Sequence, residues 1–278
     1  MTINKESFAT TALHGALSGI VAKTFVSPFD RLKIMFQSNH INFTWHNLYL
    51  HSKMVINKEG GFHKLWKSNG IQLLRVAPNA SLTFSFQRYY RSLLTDRNGN
   101  LSTQNGYLVG LLTGITSSAL VYPLDTLKSR VAVNISKEST TSIIKNNITT
   151  QGIKSLYNGF SISTMSVMPY SSLSWGTFYF LNKKLQSYNN TLHDESHTVK
   201  AVAVASSIFF AQTVVYPLDV CRRRIQVNNG DTTFMNQIQI FKNIIREKSY
   251  FKGLSINFIK TPMANTISFI TFSLLQST

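Results

Sequence analysis

The chain has 278 residues but only one cysteine, Cys221, which excludes an intramolecular disulfide and offers no thiol cluster for zinc. Acidic side chains are scarce: 11 Asp and Glu stand against 28 Lys and Arg. No Ser/His/acid constellation has a recognisable spacing. His14, His40, His46, His51 and His63 form no ligand pattern, so neither an enzyme nor a metal or cofactor protein is expected. The segment Met1–Phe8 is short, carries Glu6 and is not Arg-rich, so no N-terminal presequence is expected and any organelle address would be internal.

Charge is also missing from long stretches. Residues 104–124, 159–182 and 201–218 contain little or none, and each is close to the ~20 residues that cross a bilayer as a helix. Residues 7–29, 68–87 and 253–278 are similar apart from a few basic residues, chiefly Lys23, Arg75 and Lys260. This pattern predicts six membrane spans. The mean hydropathy is nevertheless near zero, and residues such as Ser163, Thr164 and Ser166 crowd the spans. Helices with one face toward lipid and one toward a polar cavity account for both. The formal charge of +17 would attract anionic lipid head groups or concentrate an anionic solute. Nucleic-acid binding is disfavoured, because the cations are spread over loops and helix ends rather than gathered in one stripe with exposed aromatics.

Against this charge-poor background one pattern, P-x-D-x-x-[K/R], occurs three times. It reads Pro28-Phe29-Asp30-Arg31-Leu32-Lys33, then Pro123-Leu124-Asp125-Thr126-Leu127-Lys128, then Pro217-Leu218-Asp219-Val220-Cys221-Arg222, with prolines 95 and 94 residues apart. Such spacing denotes three copies of one unit, expected over 8–95, 103–188 and 196–278. Each unit would hold a first helix ending near the motif and kinked by Pro28, Pro123 or Pro217, a loop with a short amphipathic helix, and a returning helix. A second signature repeats in register: Glu59-Gly60 with Leu65-Trp66-Lys67, Gln151-Gly152 with Leu156-Tyr157-Asn158-Gly159, and Glu247 with Tyr250-Phe251-Lys252-Gly253. An aromatic and a glycine ahead of an apolar helix suit an interfacial anchor and a helix start. Gly15 and Gly19, and Gly106, Gly110 and Gly114, share helix faces and predict close helix packing.

Two motifs, three repeats and six spans together resemble the mitochondrial carrier family over residues from about 8 to 276. The segments 22–37, 122–133, 155–160, 216–227 and 253–272 are similar to its coenzyme A transporter branch. The resemblance implies an all-α, threefold pseudosymmetric, six-helix multi-pass transporter of the inner mitochondrial membrane with short matrix helices. It also implies a monomer with cardiolipin at the repeat interfaces, working by alternating access. The exchanged solutes would be coenzyme A and adenine nucleotides such as ADP or adenosine 3′,5′-diphosphate. An ATP or thiamine pyrophosphate carrier, or a carrier-fold protein that no longer transports, stands as the alternative.

Carried over residue by residue, the resemblance implies a matrix-side gate of the pairs Asp30–Lys128, Asp125–Arg222 and Asp219–Lys33. Gln37 and Gln226 would brace it, and Ala132 leaves the second repeat without a brace. Substrate would be held by Arg75, Ser166 with Val167, and Lys260, with Tyr170 one turn further along to stack on a base. Two mid-membrane cations call for water or an anion, and Arg and Lys suit phosphate. The opposite gate departs from the family pattern. Its expected acids are absent from Gln87-Arg88-Tyr89-Tyr90-Arg91, Phe178-Tyr179-Phe180-Leu181-Asn182 and Phe272-Ser273-Leu274-Leu275-Gln276, so closure on that side would rest on packing and neutral hydrogen bonds.

Overall fold

The computed structural model describes residues 5–38, 43–96, 103–189, 197–228 and 234–277. Residues 196 and 278, which bound the third expected repeat, fall outside these, as does His40. Six long helices carry the fold: α1 (Lys5–Ser38), α3 (Asn69–Leu94), α4 (Thr103–Val133), α6 (Phe160–Asn189), α7 (His197–Val227) and α9 (Leu254–Ser277). Three short helices, α2 (Trp45–Glu59), α5 (Thr140–Gln151) and α8 (Phe234–Arg246), follow α1, α4 and α7 respectively.

Local chemistry sets the short elements. Thr44 caps α2 by accepting from the Asn47 backbone N–H, and Ser139 caps α5 in the same way through Ser142, so a donor that the first turn leaves unpaired is satisfied in each. The long helices behave differently from the sequence expectation. α1, α4 and α7 do not end near the motif but run through Pro28, Pro123 and Pro217 to Ser38, Val133 and Val227, each ten residues past its proline. Burial on all sides explains the continuation: Leu32, Met35, Val131 and Ile225 of these last turns are core residues, and tertiary packing outweighs the lost backbone hydrogen bond. Pro78, Pro169 and Pro262 lie inside α3, α6 and α9, so each long helix holds one proline.

Helices pack in a ring. α3 lies along α4, α6 along α7, and α9 along α1, while α1, α4 and α7 also meet one another. Three cores sit along α1, α4 and α7, the one on α4 also taking Ile71 from the first repeat. They comprise Leu32, Met35, Val55 and Leu65; then Ile71, Leu127, Val131, Ile143 and Leu156; then Tyr216, Val220, Cys221, Ile225 and Ile244. Elsewhere large apolar side chains face outward, among them Phe25, Met165, Phe210 and Phe269. Two of the long helices, α4 over Gln104–Val133 and α7 over Val202–Val227, are long and apolar enough to cross a membrane by composition alone. The others carry Lys23, Arg75, Lys260 or a dense run of serines, which dilutes the same signal.

The turn before each returning helix is tight at two of three places. Gly159 (φ 80°) and Gly253 (φ 82°) adopt a left-handed backbone against the next repeat. A Cβ at Gly253 would lie 3.1 Å from the Tyr216 hydroxyl and 3.4 Å from the Lys33 carbonyl oxygen. The Tyr122 and Tyr216 hydroxyls, meanwhile, donate to Asn158 and Lys252 carbonyls at 3.0 Å. In the first repeat, Ser27 precedes the motif proline in place of the tyrosine and Ser68 takes the glycine's place, with an ordinary φ of −90°. Gly253→Ala is therefore expected to lower stability by about 2–3 kcal/mol through strain and contact together, and Gly60→Ala, which has open space around it, by only about 1 kcal/mol. Thermal unfolding in detergent measures the difference; equal losses would place the cost in the backbone alone.

The glycine faces contradict the packing expectation. A Cβ on Gly15, Gly19 or Gly110 would meet nothing within 4 Å, and one on Gly114 would lie 3.8 Å from Val167. The helices converge at the motif end instead, where the charged residues bring them together.

Candidate functional site

Where α1, α4 and α7 converge, the buried carboxylates Asp30 and Asp125 and the half-buried Asp219 gather the cations. Lys128 Nζ lies 3.3 Å from Asp30 Oδ2, and Lys33 Nζ lies 3.1 Å from Asp219 Oδ2. Arg222 pairs with Asp125. The nearby amides complete two of these pairs: Gln37 Nε2 donates to Asp219 at 3.0 Å and Gln226 Nε2 to Asp125 at 3.1 Å. Two aromatic rings lie against the same cations, Tyr216 under Lys33 and Tyr122 under Arg222, each 5.2 Å from ring centre to cation. All three pairs join different repeats.

The ring holds more charge than the three pairs. Lys260 Nζ donates to Asp30 Oδ1 at 2.6 Å, and Arg75 Nη1 lies 3.4 Å from Asp125 Oδ1. The two cations expected to hold substrate thus rest on the carboxylates of the ring. Arg223, which the motif does not single out, reaches Asp125 Oδ2 at 3.2 Å and also donates to Ser129 and Gln226 at 2.8 Å. Among the described residues, three carboxylates therefore face six cations: Lys33, Arg75, Lys128, Arg222, Arg223 and Lys260. Such an excess of positive charge in a partly dry setting draws anions. Lys23 adds to it, exposed on α1 within electrostatic range of Lys260, Asp30 and Arg75. At Ala132, where the amide brace is missing, Lys260 supplies the second donor to Asp30.

Three arginines form a layer beneath this ring, and none of them was expected from the sequence. Arg31 Nε donates to the Ala132 carbonyl at 2.9 Å, Arg130 Nε to that of Gln226 at 3.0 Å, and Arg224 Nε to that of Gln37 at 3.2 Å. Each acceptor is the brace position of the next repeat. The other guanidinium nitrogens reach mainly into the arginine's own repeat: Arg31 to Glu59 at 2.5 and 3.0 Å and to the Lys64 carbonyl, Arg130 to Ser155, and Arg224 to Glu247 at 2.9 Å and Ser249 at 2.8 Å, while Arg31 Nη2 makes a second cross-repeat bond to the Asn134 carbonyl at 3.1 Å. The planar fork lets one side chain bind both repeats. Arg130 and Arg224 stand two residues after the motif cation, a recurrence visible in the sequence. Met35 occupies that place in the first repeat, and Arg31 reaches the same role from four residues earlier.

The other residues singled out in the sequence have these surroundings. Ser166 donates its hydroxyl to the Ser163 carbonyl of its own helix at 2.7 Å, and Val167 packs toward Gly114 of α4. Tyr170 is exposed, free to meet a solute. Trp66, expected as an interfacial anchor, donates its indole N–H to the Thr24 carbonyl of α1 at 2.7 Å. In the stretches opposite the ring, the side chains of Tyr179 and Asn182 lie outside the described residues.

A ring of helices in three equivalent pairs, closed at one end by inter-repeat ion pairs around a polar axis, defines a carrier. The mitochondrial carrier protein family matches residues 4–98, 99–189 and 194–278, and the chain belongs to that family, whose members are transporters and not enzymes. Relatives include the mitochondrial coenzyme A transporter SLC25A42 of Xenopus laevis, 36% identical over 98% of this chain and 86% of the relative. The human protein of the same name is 34% identical over 96% of this chain and 87% of its own length. Mitochondrial substrate carrier family protein P of Dictyostelium discoideum is 31% identical over 95% and 92%.

Proposed function

We propose that the protein exchanges coenzyme A against adenine nucleotides, ADP or adenosine 3′,5′-diphosphate, across the inner mitochondrial membrane, crossing it six times and working by alternating access. The observation that carries this reading is the placement of Arg75 and Lys260 on Asp125 and Asp30. A solute with several phosphates can take these two cations from the carboxylates, so binding it loosens the gate that holds the helices together. A neutral or monoanionic solute lacks the charge to do so. The resemblance of segment 253–272 to the coenzyme A branch and the coenzyme A transporters among the relatives support the choice of solute.

On this reading Asp30–Lys128, Asp125–Arg222 and Asp219–Lys33 form the matrix-side gate, Gln37 and Gln226 brace it, and Arg75 and Lys260 hold phosphates. Liposomes containing the protein and loaded with ADP are expected to take up labelled coenzyme A, and empty liposomes to take up little. Uptake of thiamine pyrophosphate or carboxylic acids in place of coenzyme A would overturn the assignment. A well-folded protein that moves no solute would favour the non-transporting alternative.

A further inference from the structure

At the far end of α3 from the charge ring, a cavity of about 640 Å3 is lined by Phe84, Ser85, Gln87, Arg88 and Arg91. Arg88 stands thirteen residues beyond Arg75, roughly 20 Å along a helix axis. Phe84, Arg88 and Arg91, spaced four and three apart, project from one face of the helix. All three are exposed, Phe84 at 72%, and neither arginine forms an ion pair among the described residues. The stretch Gln87–Arg91 contains no acid, and Gln276 at the end of α9 is neutral. Two guanidinium groups one turn apart repel each other, and the side chains nearest in sequence do nothing to relieve it. A counter-anion does.

We propose that Arg88 and Arg91 form an outer phosphate-binding subsite, which captures an organic polyphosphate before it reaches Arg75 and Lys260, with Phe84 offering its ring face to the organic part. The volume suits a nucleotide-sized anion, and two adjacent forks can each bind phosphate oxygens in bidentate fashion. The arginine at position 88 gives the open mouth of the cavity a positive charge on the same face as Arg91. The role as an entry site rests on the proposed transport reading; phosphate binding itself does not.

The probe is inorganic pyrophosphate, titrated against the thermal unfolding midpoint of the protein in nanodiscs of neutral phosphatidylcholine. Arg88→Gln and Arg91→Gln are each expected to raise the half-saturating pyrophosphate concentration about fivefold, the double variant more, and Arg88→Lys less than Arg88→Gln. Both positions are exposed and their charges repel, so the midpoint without ligand should not fall. In an Arg75→Gln/Lys260→Gln background the residual pyrophosphate response belongs to the outer subsite and should vanish with Arg88→Gln/Arg91→Gln. A wild-type response in the Arg88→Gln/Arg91→Gln protein overturns the proposal. So does an arginine-dependent stabilisation that appears only in cardiolipin-containing discs, which would make the pair a lipid contact. Failure of coenzyme A exchange with an intact Arg88-dependent pyrophosphate response would remove the substrate assignment and leave the subsite standing.

Discussion

Asp30→Lys is expected to reduce exchange to background, because it sets a third ammonium against Lys128 and Lys260, which lie 3.3 and 2.6 Å from the carboxylate it replaces. Leaving buried charge without its partner costs about 3–5 kcal/mol, enough to abolish a state that must form in every cycle. Adding Lys128→Asp restores one pair but leaves Lys260 facing a cation, so recovery should be partial. Asp219 offers the comparison: its direct contacts are Lys33 and the neutral Gln37, with Arg223 and Arg222 acting on it only from farther off, and the swap Asp219→Lys with Lys33→Asp should recover more. Exchange rates in liposomes of Asp30→Lys, Asp219→Lys and the two double swaps measure this. Equal recovery at the two sites would show that Lys260 takes no part in the gate, and no recovery at either, in folded protein, would dismiss the pairing.

Lys260→Ala should separate substrate binding from gate stability in a way that Arg75→Ala does not. Both remove a cation proposed to hold phosphate, and loss of a charge-assisted hydrogen bond worth roughly 1.5–3 kcal/mol weakens solute affinity, read from thermal stabilisation, about tenfold or more. In the empty protein the two differ. Lys260 holds Asp30 at 2.6 Å with its side chain 20% exposed, and its removal should lower the unfolding midpoint. Arg75 sits 3.4 Å from Asp125 with 34% exposure, and Asp125 keeps Arg222, Arg223 and Gln226 without it, so the midpoint should barely move. Wild-type coenzyme A affinity in both variants would leave the two cations as helix-packing groups.

The repeat was legible because it rests on residue types that few other forces place together. Proline, carboxylate and cation at fixed spacing announce a helix whose charges must find partners, and three copies announce where those partners lie. The further partners of the carboxylates were not legible. Lys260 and Arg75 belong to returning helices some distance along the chain from the carboxylates they touch, and only the depth at which α9 and α3 cross the motif helices brings them there. Arg223 was overlooked because Arg222 satisfied the motif, although both reach Asp125. The glycine spacing on α1 and α4 states only which side of a helix is smooth; whether another helix lies against it depends on convergence that the motif end dictates. The end of each motif helix was misplaced for a related reason, since proline's local effect was weighed without the core that its following turns enter.

The pairing of α9 with α1 repeats the pairing of α3 with α4 and of α6 with α7. As a result the chain is a loop in space, and its sequence order is one of several that the architecture admits. A polypeptide that joined the end of α9 to the start of α1 and opened between α3 and α4 would keep every inter-repeat ion pair, since each depends on which repeats are neighbours and not on which was synthesised first. Order along the gene and order around the axis are thus separate properties of this carrier, and only the second is fixed by its charges.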